Sequence, residues 1–340
     1  MEHIYGYNVD DIKKYLENKG HKPFRATQIF EWLYRHKIAE FTQITNIKKD
    51  LIGQLNEDFV IDRFKLVTKQ ESVDGTVKFL FELSDANLIE TVLMSHDYGY
   101  SVCVTSQVGC NMGCQFCASG MKKKLRNLET YEMVLQILMV EELMQIKVSH
   151  VVVMGIGEPF DNYPNVLKFL EIINYPLGLE IGARHITVST CGIVPKIYEY
   201  ADFNLQVNLA ISLHAPNNEI RNKIMPINSA YPIEDVIKAI AYYIEKTNRR
   251  VTIEYILIKD LNDTYDCANE LANLLHGLNV YVNLIPYNEV KEKPFKRSTD
   301  QSMHVFYDQL KKRRINVTLR REQGHDIDAA CGQLRSKHIK

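Results

Sequence analysis

Residues 150 to 174, HVVVMGIGEPFDNYPNVLKFLEIIN, contain one complete strand–turn–helix unit. The stretch opens with a run of β-branched residues, passes through a turn rich in Gly and Pro, and continues with apolar residues at helical intervals. A strand that runs directly into a helix of this length is the repeating unit of a parallel sheet. The turn after the strand is then expected at the carboxyl edge of the sheet, where such proteins place their reactive side chains.

The same order of strand and helix recurs on both sides of this unit. Helical stretches such as IEDVIKAIAYYIEK and DCANELANLLHG lie between most of the strands. About six such units suit an open barrel better than a closed eightfold one, so we predict an α/β fold with a partial (β/α)6 TIM-like barrel. The further strand candidates are YSVCVTS, HITVST, VNLAISL, VTIEYIL, VYVNLIP and INVTLRR.

The chain before the barrel has a different character. It begins with three helical patterns, VDDIKKYLENKG, PFRATQIFEWLYRH and IKKDLIGQLNEDF. Strand-like segments rich in β-branched and aromatic residues follow them. We therefore predict three parts: a small helical domain over 1–60, a β-rich connector over 61–95, and the barrel with a C-terminal extension over 96–340.

The composition is that of an ordinary globular protein. The 340 residues carry a net charge of −1 and are 46% hydrophobic, so the chain is not a basic nucleic-acid coat. No apolar run approaches the ~20 residues that cross a bilayer, and the polar start MEHIYGYNVDDIKKYLENKG is unlike a secretory signal. We expect a cytosolic protein without membrane contact. Seven cysteines in a reducing compartment indicate thiol chemistry or metal binding instead of a disulfide framework.

Three of the cysteines stand within eight residues, in the stretch QVGCNMGCQFCASGMKKK over 107–124. A structural zinc site takes four ligands, whereas the next Cys or His after Cys117 is His150. Three thiolates suit a [4Fe–4S] cluster in which one iron keeps an open position. We therefore predict that Cys110, Cys114 and Cys117 ligate such a cluster. A zinc site completed by a distant His, or three buried thiols, are the alternatives.

With these cysteines after its first barrel strand, the chain resembles the radical S-adenosylmethionine (SAM) superfamily. GIGEP, Gly155–Pro159, follows one unit later and matches the segment that holds the SAM amino group in that superfamily. Further motifs narrow the resemblance to the RlmN/Cfr family, and within it to the RlmN-type adenine C2-methyltransferases. These motifs are CVTSQVGCNMGCQFCASG, MGIGEPFDNY, ITVSTCGIVPKI, ISLHAPN, MPIN, NLIPYN, DIDAACGQL and the N-terminal PFRATQIFEWLY.

The resemblance implies methylation of C2 of adenosine 2503 in 23S rRNA and of adenosine 37 in tRNAs, with two SAM molecules per turnover. It implies that Cys331 takes the methyl group from one SAM, and that a radical made from the second removes a hydrogen atom from this methyl group. The carbon radical then adds to C2, and a disulfide between Cys103 and Cys331 releases the methylated base. Glu90 occupies the family's position for the acceptor of the C2 proton, with Cys103 as its rival.

The same resemblance supplies the SAM contacts. They are Gly157, Glu158, Ser189, Ser212, Leu213, His214 and Asn288. From the residues alone, His214 is equally a satisfied histidine at a strand end, and Asn288 is equally a turn residue. A cysteine in an apolar strand, such as Cys103, is most often a small buried hydrophobe. We interpret Cys191 and Cys267 as core thiols.

The partners that the resemblance implies are 23S rRNA, tRNA and an electron donor such as flavodoxin or ferredoxin. The target adenine has to leave its stack to reach a buried radical centre, so we expect a flipped or single-stranded nucleotide. We predict that the helical domain and the basic stretches Lys122–Arg126 and Lys291–Arg297 grip the RNA backbone. Each stretch on its own is equally a solvated charged face. We expect a monomer.

Three other functions compete with this one. Cfr-type enzymes methylate C8 of the same rRNA adenosine and confer antibiotic resistance, but they tend to have Gly-Glu-Ala where this chain has Glu158–Pro159, and Arg-Tyr-Asn in place of Pro286–Tyr287–Asn288. A glycyl-radical activase would share the cluster and would not need Cys103 or Cys331. A zinc-dependent RNA-binding protein would contain neither iron nor sulfide.

Overall fold

The structure, a computed structural model, describes residues 1–321, 323–324, 326–328 and 332–338. Its strands are β1 (Glu2–His3), β2 (Phe59–Val60), β3 (Lys65–Glu71), β4 (Val77–Glu82), β5 (Leu88–His96), β6 (Gly99–Cys103), β7 (Gln107–Val108), β8 (Arg126–Asn127), β9 (Val148–Val153), β10 (Ile186–Thr190), β11 (Asn208–Ser212), β12 (Val251–Leu257), β13 (Val280–Pro286) and β14 (Val317–Leu319). Its helices are α1 (Val9–Asn18), α2 (Arg25–Tyr34), α3 (Lys49–Asp58), α4 (Thr130–Met144), α5 (Tyr163–Asn174), α6 (Val194–Tyr200), α7 (Asn218–Ile224), α8 (Ile233–Thr247), α9 (Tyr265–Leu274), α10 (Asp300–Lys312) and α11 (Gln333–His338).

One ten-stranded sheet organises the molecule, in the order β14-β13-β12-β11-β10-β9-β6-β5-β4-β3. The seven strands from β6 to β14 run parallel, and helices connect them along the chain. This arrangement confirms the predicted α/β fold with a partial barrel. Because all seven strands point the same way, the loops that follow β6, β9, β10, β11 and β13 meet at one edge of the sheet.

The strands of the predicted connector continue the same sheet. β3, β4 and β5 pair antiparallel, and β5 joins the barrel through β6, with Val92 opposite Cys103. These three strands therefore extend the barrel sheet into the region that the sequence analysis treats as a separate connector. The division into 1–60, 61–95 and 96–340 stays a prediction.

The three N-terminal helices form where the sequence predicts them. Asn8 begins α1 with a capping box, because its side chain accepts from the Asp11 backbone N–H while the Asp11 carboxylate accepts from the Asn8 backbone N–H. Buried residues of these helices belong to the same hydrophobic core as those of the barrel. Polar contacts join the two regions as well, since Lys168 of α5 forms an ion pair with Asp11 of α1 at 2.7 Å.

None of the described helices combines the length and the apolar character that crossing a membrane requires.

Candidate active site

A cavity of about 400 Å³ opens at the carboxyl edge of the parallel strands. Its volume falls within the range of about 300–1,000 Å³ that small-molecule sites occupy. The predicted site residues that line it are Cys103, Cys110, Cys114, Cys117, Gly157, Glu158, Ser189, Ser212, His214 and Asn288. They come from the ends of five different strands, so the parallel topology is what brings them together.

The loop over 107–127 holds the three clustered cysteines. Strands β7 and β8 pair antiparallel and close the loop at its base. Gly109 has a φ of +83°, and a Cβ atom there would lie 2.3 Å from the carbonyl oxygen of Lys123. The loop can therefore close in this way only with glycine at that position. The Cys110 backbone N–H donates to the Lys122 carbonyl at 3.2 Å and fixes the first cysteine on the opposite arm.

The clustered thiols are largely buried and interact with one another. Burial raises the pKa of Cys110 to about 12 and also raises the pKa of Cys114, with a smaller contribution from the neighbouring cysteines. Without a cation such thiols stay protonated, and a bound metal is what converts them to thiolate ligands. Within the described part of the chain, no three His, Cys, Asp or Glu side chains are grouped so as to hold a single metal ion. Three sulfur donors on one cavity wall fit a multi-iron cluster in which each cysteine ligates a different iron.

The turn after β9 is built for close backbone approach. Gly157 has a φ of +111°, and a Cβ atom there would lie 2.6 Å from the Gln107 side chain. The Glu158 carboxylate accepts the backbone N–H of Phe160 at 2.9 Å and that of Cys191 at 2.8 Å. Burial raises the pKa of Glu158, although these hydrogen bonds act in the opposite direction. The carboxylate thus joins the turn after β9 to the turn after β10.

Two serines and a histidine form the next part of the cavity wall. The hydroxyl oxygens of Ser189 and Ser212 lie 3.2 Å apart across β10 and β11. The His214 ring packs edge-on against Phe116, with centroids 4.9 Å apart, and its Nδ1 accepts the Ile256 backbone N–H at 3.1 Å. Burial lowers the pKa of His214 to about 3, with a smaller contribution from a nearby arginine. The ring is therefore neutral and supports the loop that carries the cysteines.

Leu213 is placed differently from its neighbours in the predicted SAM run. Its side chain is fully buried in the main core, and it is not among the residues that line the cavity. Successive residues of a strand face opposite sides of the sheet, so Ser212, the last residue of β11, faces the cavity while Leu213 packs behind it. His214 lies beyond the strand with a φ of +58° and lines the cavity again. Asn288, beyond β13, lines the cavity beside Tyr287.

The two candidate bases, Cys103 and Glu90, are placed differently with respect to the cavity. Cys103 ends β6 and lines the cavity. Glu90 lies on β5, is buried, and is not among the lining residues; it forms an ion pair with Lys78 at 2.9 Å. Cys331 lies outside the described residues, but the following residue, Gly332, is described and donates its backbone N–H to Glu90 at 2.7 Å.

Several lining residues were missed by sequence reasoning. Glu254 of β12 is buried at the cavity wall and accepts a hydrogen bond from the Asn283 side chain at 2.8 Å. Its signal in the sequence was a lone charge within the apolar strand VTIEYIL. Arg320 and Arg321 also line the cavity, although the sequence suggested only a basic pair. Cys191 is buried, as expected of a core thiol, yet it forms part of the cavity wall.

The two predicted basic stretches both follow strands at the cavity edge. In the first, Lys124 pairs with Asp161 at 2.6 Å, and Arg126 binds both Asp85 and the buried Glu132. Lys122 and Lys123 are exposed. In the second stretch, over 291–297, Lys296 pairs with Glu289 at 2.9 Å and remains two-thirds exposed.

Two family models match this chain. Residues 104–273 match the radical SAM superfamily, and residues 3–61 match the ribosomal RNA large subunit methyltransferase N-terminal domain. The first match contains the cysteine loop and strands β9 to β12. The second covers the three N-terminal helices.

Similar proteins cover nearly the whole length. A probable dual-specificity RNA methyltransferase RlmN of Acholeplasma laidlawii is 57% identical over 99% of both chains, and that of Bacillus subtilis is 56% identical over 98% of this chain and 93% of its own. The crystal structure of a radical SAM methyltransferase from Sphaerobacter thermophilus superposes with a TM-score of 0.91 at 40% identity, covering 98% of this chain and 99% of the other. The family predicted from the motifs is thereby confirmed, and the chain belongs to the RlmN family of the radical SAM superfamily.

Proposed function

We propose that the protein is a radical SAM RNA methyltransferase that methylates C2 of an adenosine in 23S rRNA, at position 2503, and of adenosine 37 in tRNAs. The observation that carries the proposal is the shared wall of one cavity, to which Cys103 and the three clustered cysteines all contribute. Relatives over 55% identical along the full length are named as dual-specificity RNA methyltransferases, which supports RNA as the substrate.

Cys110, Cys114 and Cys117 would hold a [4Fe–4S] cluster, and SAM would lie against Gly157, Ser189, Ser212, His214 and Asn288. Once bound, these groups supply a 5′-deoxyadenosyl radical through one electron from a flavodoxin or ferredoxin. Most of the surface that lines the cavity is apolar, which would limit the access of water to this chemistry. His214 and Glu158 are hydrogen-bonded to backbone groups of neighbouring strands and turns, and they hold these parts of the cavity wall in place.

The proposed roles of Cys331 and Cys103 follow from the low reactivity of adenine C2. C2 of adenine lies between two ring nitrogens and is too electron-poor to displace a methyl group from a sulfonium. In the proposed route Cys331 is methylated first, and the methyl carbon later joins C2 after losing a hydrogen atom. The C2 proton then leaves, and the Cys103 sulfur gives up its proton and bonds to the Cys331 sulfur. The S–CH2 bond breaks as this disulfide forms, the freed methylene carbon takes up a proton to become the methyl group, and one electron is returned.

Either of two groups is proposed as the acceptor of the C2 proton, Cys103 or Glu90. Cys103 belongs to the cavity wall, which supports its candidacy. Glu90 lies behind that wall, and both of its carboxylate oxygens accept hydrogen bonds from backbone groups.

The RNA would approach the carboxyl edge of the sheet with its target base turned out of the stack. The exposed lysines of the cysteine loop and the basic stretch 291–297 flank this edge and would contact phosphates. We propose that the protein acts as a monomer in the cytoplasm.

Nucleoside mass spectrometry tests the reaction. The reconstituted protein is incubated anaerobically with rRNA or tRNA, a reductant and methyl-deuterated SAM. We expect label on C2 of adenosine, and none with Cys331→Ala. Label on C8 would instead identify a Cfr-type enzyme, and cleavage of SAM without RNA labelling would contradict the proposal. Iron and sulfide analysis of the same preparation distinguishes a cluster from a zinc site.

A further inference from the structure

We propose that Lys78 and Glu90 are positioning residues that hold the chain on both sides of Cys331 against the cavity. The inference rests on the proposed role of Cys331 as methyl carrier. It assigns Glu90 a task other than proton removal, and it assigns a task to Lys78, which the sequence did not single out.

Lys78 and Glu90 form a buried ion pair on neighbouring strands. The ammonium of Lys78 lies 2.9 Å from the Glu90 carboxylate, and the two side chains are 0% and 3% exposed. Burying two charges is costly unless their remaining hydrogen-bonding capacity is used. The groups that use it belong to the C-terminal segment.

The chain after Cys331 is held by Glu90. One carboxylate oxygen accepts the Gly332 backbone N–H at 2.7 Å, and the other accepts the Arg335 backbone N–H at 2.5 Å. These are N–H groups at the start of α11, which have no partner within their own helix. A charged acceptor makes such hydrogen bonds about twice as strong as a neutral one does.

The chain before Cys331 is held by Lys78. Its ammonium donates to the Asp328 carbonyl at 2.6 Å. The ion pair therefore fixes the backbone three residues before and one residue after the carrier cysteine. Outer contacts continue the same attachment, because Gln70 exchanges hydrogen bonds with Asp328 at 3.0 Å each.

The held segment reaches the loop that carries the clustered cysteines. Gly332 has a φ of +81°, and a Cβ atom there would lie 2.7 Å from the backbone nitrogen of Ser119. Ser119 stands two residues after Cys117. Glu90 thus holds Gly332, the residue next to the carrier cysteine, directly against the cysteine loop. A residue that served only as a base for the RNA would not need this contact.

The two candidate roles of Glu90, positioning residue and base, predict different defects in the Glu90→Ala variant. If Glu90 positions the segment, Glu90→Ala should release the amides of 332–338, slow methylation of Cys331, and give little RNA–protein adduct. If proton removal is the task of Glu90, Cys331 methylation should be unchanged in Glu90→Ala, and the covalent adduct should accumulate because the C2 proton stays in place. Cys103→Ala cannot form the releasing disulfide and provides the positive control for the adduct.

The experiment measures hydrogen exchange of the C-terminal peptide, S-methylation of Cys331 by peptide mass, and covalent adduct in the reconstituted protein. For Glu90→Ala and Lys78→Met we expect exchange of the Gly332 and Arg335 amides to accelerate and Cys331 methylation to slow, each by about tenfold or more, because each removes a charge-assisted contact. Glu82→Gln, in an exposed pair with Lys65 on the adjacent strands, is the matched control and should behave as wild type.

A double variant distinguishes the loss of this attachment from general misfolding. Lys78→Met with Glu90→Gln removes both charges, and one amide oxygen still accepts a backbone N–H, so we expect it to exceed either single variant in Cys331 methylation. Normal exchange and an accumulating adduct in Glu90→Ala would overturn the inference, as would a double variant no better than the worse single one. If wild type produces no C2 label, the proposed function fails, whereas the exchange measurement still decides the attachment.

Discussion

At Gly157 the backbone conformation is the feature on which the proposed SAM site depends. Its φ of +111° lies in a region that residues with a side chain rarely adopt, and a Cβ atom there would meet the side chains of Gln107 and Ser106. A glycine in a Gly-Glu-Pro turn is a weak signal in a sequence, because many turns contain one. Its value here comes from the close approach of two loops, which leaves no room for a Cβ atom.

Gly157→Ala is therefore expected to destabilise the protein by about 1–3 kcal/mol and to weaken SAM binding. The strained φ and the 2.6 Å contact with Gln107 both oppose the methyl group. Urea denaturation measures the first effect, and equilibrium dialysis with labelled SAM measures the second.

Gly53→Ala is the matched control. Gly53 is exposed within α3, and a Cβ atom there meets nothing within 4 Å. The same substitution should stabilise the helix by about 0.5–1 kcal/mol and leave SAM binding unchanged. Equal losses at both positions would contradict the assignment of Gly157 to the site.

Among the elements, the loop over 107–127 has two chemically different sides. Its buried side presents the three cysteines, and its exposed side carries Lys122 and Lys123. Two basic residues of the same stretch are used internally, because Lys124 and Arg126 are held in ion pairs. Only the exposed pair of lysines is then available to RNA from this stretch, which narrows the prediction made from the sequence.

Lys123→Glu should weaken RNA binding and reduce the slope of log affinity against log salt by about 1, since one phosphate contact is lost. Filter binding at several salt concentrations measures both quantities. Lys238→Glu on α8, whose lysine forms a surface pair with Asp235, is the control. Identical salt slopes for both variants and wild type would remove this loop from the RNA interface.

In the whole molecule the N-terminal helices and the barrel share one core. Residues as far apart as Ile4, Leu33 and Phe169 belong to the same buried cluster. His3 lies at the junction, where its ring stacks on Tyr131 of α4 with centroids 4.2 Å apart and accepts the Asp62 backbone N–H at 3.2 Å. We therefore expect one cooperative unfolding transition for the two regions together.

The free energy of unfolding in that single transition should depend on the protonation of His3. Burial lowers the pKa of His3 from 6.5 to about 4, although Asp62 opposes the shift. The neutral ring therefore stabilises the fold above pH 6.5, and this contribution, at most about 3 kcal/mol, is lost as the pH falls from 6.5 through 4.

Calorimetry of wild type and His3→Gln between pH 7 and 4 checks this expectation. The variant should lose less stability than wild type over that interval. His304→Gln, on an exposed face of α10, should follow the wild-type curve. Two separate transitions, or parallel curves for all three proteins, would contradict a shared core with His3 at its junction.

The sequence alone was sufficient for the fold class, the parallel direction of the barrel strands and the grouping of the three cysteines in one loop. Strand and helix periodicity is a local property, and parallel topology then sends every strand end to the same edge. For that reason Cys110, Ser189 and His214 could be predicted as neighbours although they belong to different units. Glu254 escaped notice because a single charge in a strand does not reveal which face it occupies.

The roles of Lys78, Glu90 and Leu213 became visible only in the folded molecule. Glu90 and Gly332 are 242 positions apart in the chain, and no local pattern indicates that one caps the helix that follows the other. Burial makes their contact strong, since a carboxylate removed from water must find its hydrogen bonds within the protein. Motif spacing thus determines which residues reach the cavity. The hydrogen bonds that buried polar groups must form determine which parts of the chain those groups hold in place.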